Sequence, residues 1–201
     1  MTEGKCQRTV NHARDAGAME LQAFVPARPL RNHHLMTVVP RYWSRGPLLA
    51  GIPVERRLFR TEPDTQIVGF CHWQDNRWSA QTMLLLHGLE GCCDSHYMHG
   101  IAAKAYKAGL NVVRLNQRTC GGTEHLSPTL YNSGLSADYR SVLQELAAEQ
   151  MHRIWLVGYS MGGNLLLKAT GELGRSQPAL AGTVVVCPNI DPTLCVRELE
   201  R

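Results

Sequence analysis

The chain has 201 residues, 44% of them apolar and 19% charged, with a formal net charge of +4. That is an ordinary globular composition, long enough for one domain with a substantial core. It excludes a membrane span, because the most apolar runs, 83–86 and 184–187, are far too short, and the polar first seventeen residues exclude a secretory signal.

The charge is uneven, with ten Lys or Arg against four acids in residues 1–60 and eleven against thirteen in the rest. The basic residues of the front part are scattered among prolines without interleaved aromatics. They read as solvated surface charge, not as an arm for phosphates or an anionic membrane, and no nucleic-acid partner is expected. The seven cysteines are odd in number and lack framework spacing, which suits reduced thiols and a cytoplasmic location.

In chain order, residues 1–20 read as a frayed terminus. Residues 21–53, with five of the ten prolines, read as an irregular proline-rich arm. From residue 54 onward, short apolar runs alternate with helical periodicity, the signature of a mostly parallel sheet covered by helices, and residues 54–201 are taken as one α/β domain. Residues 54–59 and 66–73, separated by Pro63 and Asp64, form a predicted hairpin. Thr82–Leu86 is a strand buried on both faces. Tyr97, Ile101, Ala102, Ala105 and Ala108 recur at helical spacing, and Gly109 stands where a helix would be capped. A strand at Asn111–Leu115 follows, then a long polar loop. Leu135, Tyr139, Val142, Leu143 and Leu146 mark an amphipathic helix with Ser136 as its N-cap. Residues 153–158 form a strand, 162–173 a helix and 180–187 a last strand.

The segment that carries chemistry is Gly158-Tyr159-Ser160-Met161-Gly162, between a buried strand and a helix. A serine hydroxyl is a weak nucleophile at neutral pH and must be presented on a sharp turn where a base and a carbonyl carbon can reach it. Gly-x-Ser-x-Gly in this context is the pattern of a nucleophile elbow, with Ser160 as the nucleophile and the two glycines relieving crowding between strand and helix. His87-Gly88-Leu89-Glu90-Gly91 follows the buried strand Thr82–Leu86, where such a fold carries its second oxyanion-binding loop. The backbone amides of Leu89 and Met161 are the expected oxyanion donors, and the His87 side chain is expected to be structural.

On these residues the chain resembles the YheT-like branch of the α/β-hydrolase superfamily, relatives of short-chain carboxylesterases and monoacylglycerol lipases. The resemblance runs from about residue 24 to residue 191. It includes Leu30-Arg31-Asn32-His33-His34-Leu35-Met36-Thr37, Asp94-Ser95-His96-Tyr97, Asn116-Gln117-Arg118-Thr119-Cys120-Gly121-Gly122-Thr123 and Tyr131-Asn132-Ser133-Gly134. Thr119 stands where the family usually has glycine. The resemblance implies hydrolysis of small-molecule or lipid-like carboxylic esters through a Ser-Asp-His triad, with no cofactor and no metal.

In this fold the triad follows the order serine, acid, histidine. All nine histidines (His12, His33, His34, His72, His87, His96, His99, His125 and His152) precede Ser160. Asp191 is the only aspartate after it and is a weak candidate for the acid, because the resemblance puts it in a structural segment at a strand end. The chain is therefore expected to be a C-terminally truncated hydrolase, nearly inactive alone, with 180–187 as an exposed apolar edge. Two rival readings are a metal site at Cys92, Cys93, His96 and His99, disfavoured because all four lie in one short segment, and a non-catalytic fragment that works by binding a partner.

Overall fold

The computed structural model describes residues 23–43 and 45–200. The expectation for residues 1–20 lies outside them. The chain divides at Pro40 and Arg41 into two compact units, which are described separately.

In the first unit a 3-10 turn, Arg28–Arg31, leads into helix α1, His33–Tyr42. The side-chain oxygen of Asn32 accepts from the amides of His34 (2.9 Å) and Leu35 (3.2 Å), which satisfies two of the donors a first helical turn leaves open. This corrects the reading of 21–53 as irregular throughout. Pro26 and Pro29 precede the helix, and Pro40 falls in its last turns, so the proline density does not prevent it from forming.

The second unit is built on a six-stranded sheet: β1 (Glu55–Glu62), β2 (Thr65–His72), β3 (Thr82–Leu86), β4 (Asn111–Leu115), β5 (Ile154–Tyr159) and β6 (Leu180–Val186), in the order β1-β2-β4-β3-β5-β6. β1 and β2 form the expected hairpin, antiparallel to each other, and β2 joins β4 antiparallel. β4, β3, β5 and β6 are parallel. The crossovers are α2 (His96–Lys107), α3 (Ala137–Ala148) and α4 (Met161–Leu173), and α5 (Pro192–Leu199) follows β6.

Strand periodicity sorts the core into two layers. Leu84 and Leu86 of β3 point to the face shared with Val113, Leu115, Leu156, Tyr139 and Leu143 of α3 and Leu165 of α4. Leu85 points the other way, to Val112, Val157 and the Met98, Ala102 and Ala105 stripe of α2. Burying one such leucine stabilises the fold by roughly 1.5–3 kcal/mol. This is why the continuous apolar runs settle in the middle of the sheet. β6 lies at the sheet's rim, with Val184 51% exposed. Among the described residues no helix is long and apolar enough to cross a membrane.

Two local expectations need correction. Ser136 is the N-cap residue of α3 as expected, and what differs is its hydroxyl, which donates to Glu172 Oε2 (2.6 Å) and makes no cap bond. α5 was not anticipated from the sequence, although Asp191-Pro192 starts it: Asp191 Oδ1 accepts from Thr193 N (3.0 Å) and Leu194 N (3.1 Å).

Candidate active site

Ser160 is exposed and sits between β5 and α4 with φ 50° and ψ −121°, a region that side-chain-bearing residues rarely occupy. Its amide donates to Val186 O of β6 (2.9 Å), and its carbonyl accepts from Asn164 N (3.1 Å), so the turn is bonded on both sides. The turn is tight enough to demand glycine at 162, where a β-carbon would lie 2.2 Å from His87 O. That approach brings the loop after β3 against the start of α4.

The loop 87–91 has a nearly complete hydrogen-bond account. The buried His87 ring donates from Nδ1 to Gly88 O (2.7 Å) and accepts at Nε2 from Gln117 N (3.1 Å), while Gln117 Nε2 donates to His87 O (2.8 Å). These partners fix the tautomer, and burial pushes the ring's pKa down, so it stays neutral. Gly88 N donates to Tyr97 OH (3.1 Å), Glu90 N to Tyr131 OH (3.2 Å) and Gly91 N to Gly88 O (3.1 Å). Leu89 N has no partner among the described residues, and neither has Met161 N at the first position of α4. Met161 follows Ser160 directly at the positive end of a helix, and Gly88, the residue before Leu89, lies against Ser160, where an added β-carbon would sit 3.1 Å from Ser160 Cβ. An anion or developing oxyanion is the ligand such donors accept.

The loop after β4 braces this arrangement from below. Arg118 binds Asp138 of α3 through Nε (2.7 Å) and Nη2 (2.6 Å), and its Nη1 reaches Glu62 (3.0 Å) and Thr129 Oγ1 (2.8 Å). Asp138 is fully buried, and its hydrogen bonds hold Arg118 protonated well above the ordinary guanidinium range. Thr119 takes φ 59°, so a threonine here adopts the left-handed backbone that favours glycine. Asn116 Oδ1 accepts from Cys93 N (2.7 Å) and ties this loop to the segment before α2.

The remaining candidates do not converge on Ser160. Asp191 is spent as the exposed N-cap of α5. His99 pairs with Asp94 (2.9 Å), and His72 bonds Pro53 O (3.0 Å). Cys93 is buried, with its thiol pushed up to about 12 by desolvation, and no group of three or more His, Cys, Asp or Glu among the described residues could hold a metal. An open cavity of about 650 Å³ lies behind the loop, lined by Leu89, Glu90, Cys92, His96, Tyr97 and Gly121.

Residues 81–199 match the family described as alpha/beta hydrolase fold. The chain belongs to that family. Among curated proteins, this α/β-hydrolase is 34% identical over 169 residues to "Putative esterase YheT" of Escherichia coli (strain K12), covering 82% of this chain and 48% of that protein. It is 30% identical over 165 residues to Phospholipase ABHD3 of Mus musculus, covering 72% and 40%. Its place on the YheT-like branch follows. The chain spans about half the length of the curated relatives it matches. Of solved structures, esterase Pf2001 of Pyrococcus furiosus superposes with a TM-score of 0.58 at 21% identity, over 74% of this chain and 55% of that one. Esterase Est22 gives 0.60 at 21% identity, over 81% and 52%. At such identities the likeness is one of fold.

The sequence reading did not single out Tyr97, Gln117 and Tyr131 as parts of the site. Their only signal was membership of the segments that carry the family resemblance.

Proposed function

We propose that this chain carries the nucleophile and the oxyanion-binding loops of a carboxylic-ester hydrolase. Ser160 Oγ adds to the ester carbonyl carbon and loses its proton, while the carbonyl π electrons move onto oxygen, which the amides of Leu89 and Met161 receive. Collapse of the tetrahedral adduct expels the alcohol, which takes up a proton, and leaves acyl-Ser160. Water repeats the sequence to release the acid. The observation that carries this reading is an exposed serine held at φ 50° at the start of a helix, with Gly88 of the loop 87–91 packed against it.

The substrates in this reading are short-chain esters or monoacylglycerols, since both named relatives bear ester-hydrolase names. The described cysteines are free thiols, which supports a reducing, cytoplasmic setting. No cofactor enters the scheme. Residues 161–201 contain no histidine. Assayed on its own, the 201-residue polypeptide is expected to pass the serine proton to solvent and to turn over on the order of 10⁶ more slowly than a complete triad.

A fluorophosphonate probe tests the reading. The expected result is slow, stoichiometric labelling on the Ser160 peptide and none in Ser160→Ala. Saturable p-nitrophenyl acetate hydrolysis abolished by Ser160→Ala would overturn the low-turnover part. No labelling at all would overturn the nucleophile and favour the second reading, a non-catalytic module that acts by binding.

A further inference from the structure

The loop 87–91 leaves one donor, Leu89 N, without a partner among the described residues. Leu89 is 64% exposed, so water satisfies its amide in the free protein, and a loop free to move is equally able to turn that amide away from the site. Two contacts oppose that turn. The two amides on either side of Leu89 are each taken by a tyrosine hydroxyl from a different part of the fold, Gly88 N by Tyr97 of α2 and Glu90 N by Tyr131 of the irregular segment before α3.

We propose that Tyr97 and Tyr131 are positioning residues that strap the loop on both sides of Leu89, keeping its amide as the free donor for a substrate oxygen. The inference rests on the reading of Leu89 as an oxyanion donor.

Both straps are themselves held. The Tyr97 ring packs on Tyr159, the residue before Ser160, at 4.8 Å between centroids. The Tyr131 ring packs against the larger core layer. The segment bearing Tyr131 is pinned by Arg118 to Thr129 Oγ1 (2.8 Å) and by Asn164 Nδ2 of α4 to Ser133 O (3.1 Å). Glu90 supplies an independent sign of tension. It sits at φ 52°, a conformation that a non-glycine residue keeps only when its surroundings impose it, and Tyr131 OH is what its amide holds.

The test uses the purified 201-residue chain and the conservative variants Tyr97→Phe and Tyr131→Phe, which keep the rings and remove only the acceptors. Amide exchange followed by NMR should accelerate at least about fivefold at Gly88 in the first and at Glu90 in the second. Fluorophosphonate labelling of Ser160 should show a maximal rate about tenfold lower, with the half-saturating probe concentration unchanged within about twofold. A purely structural role would lower the melting temperature and leave that split unmoved. Labelling at the wild-type maximal rate despite faster exchange at Glu90 would overturn the proposal. If the wild-type chain is never labelled, the nucleophile reading fails separately, and exchange decides. Faster exchange at Glu90 with slower exchange at Leu89, as that amide finds a partner, supports the straps, whereas unchanged exchange at Glu90 in Tyr131→Phe overturns them.

Discussion

A β-carbon placed on Gly88 would lie 3.1 Å from Ser160 Cβ and 3.8 Å from Ser160 Oγ. The loop that carries the Leu89 amide and the turn that carries the hydroxyl are thus in van der Waals contact across the top of β3 and β5.

Gly88→Ala should therefore disturb the site more than the fold. The new methyl also meets Tyr159 O at 3.3 Å, so the loop must yield by a few tenths of an ångström. The expected outcome is a fall of about ten- to a hundredfold in fluorophosphonate labelling rate. The melting temperature should stay within a few degrees.

Ser160 is held in a conformation that costs of order 1–3 kcal/mol in a residue with a side chain. Ser160→Gly should raise the free energy of unfolding by about 1 kcal/mol in urea titration, whereas Ser160→Ala should not, because alanine keeps the steric penalty at φ 50°. Both abolish labelling. Equal midpoints for the two variants would contradict the strain.

Asp138 faces Arg118 with both partners buried. Asp138→Asn removes the buried one of Arg118's two carboxylate partners, leaving only the more exposed Glu62, and should destabilise the protein by about 3 kcal/mol. A double replacement, Arg118→Met with Asp138→Leu, should recover much of that loss, since an apolar pair of similar volume replaces an ion pair at little net cost. Paired denaturation curves distinguish the two.

His72 and His87 both have pKa values lowered from 6.5 by burial. Their folded forms resist protonation while the unfolded chain accepts it. The unfolded state therefore binds more protons below pH 6.5, and stability is full above that value and falls as the pH drops through it towards the folded pKa values. Glu62, Glu149 and Glu172, lowered first of all by hydrogen bonds from Arg118, Arg57 and Lys168, add a second loss below about pH 4.5. Urea midpoints between pH 7.5 and 5 should decline for the wild type and flatten in His87→Asn relative to that variant's own stability at pH 7.5.

The parallel strands were legible because strands buried on both faces read as unbroken apolar runs. Thr82–Leu86 and Asn111–Leu115 coincide with prediction residue for residue. Where a strand carries polar residues the limits slip, as in β1, which continues through Arg60 and Thr61 to Glu62. Helix α1 was hidden by its prolines. α5 was hidden because Asp191 was weighed as a catalytic acid when Asp-Pro is a helix start. Ser160, Leu89 and Met161 could be named from a local pattern. Tyr131 could not, since its hydroxyl meets an amide 41 residues away, and no local spacing encodes a contact made by the packing of two loops.

In the β3–β5 ladder Leu86 stands opposite Gly158, so Gly88 and Ser160, two residues further along each strand, leave the sheet at the same height. A slip of one position between these strands would move one exit relative to the other by about 3.3 Å, more than a hydrogen bond tolerates. It would also turn Leu84 and Leu86 out of their layer. The register of these two buried strands is thus also what brings Gly88 level with Ser160. A chain that mispaired there would lose that alignment and, in the proposed reading, its reactivity, with every side chain of the candidate site still present.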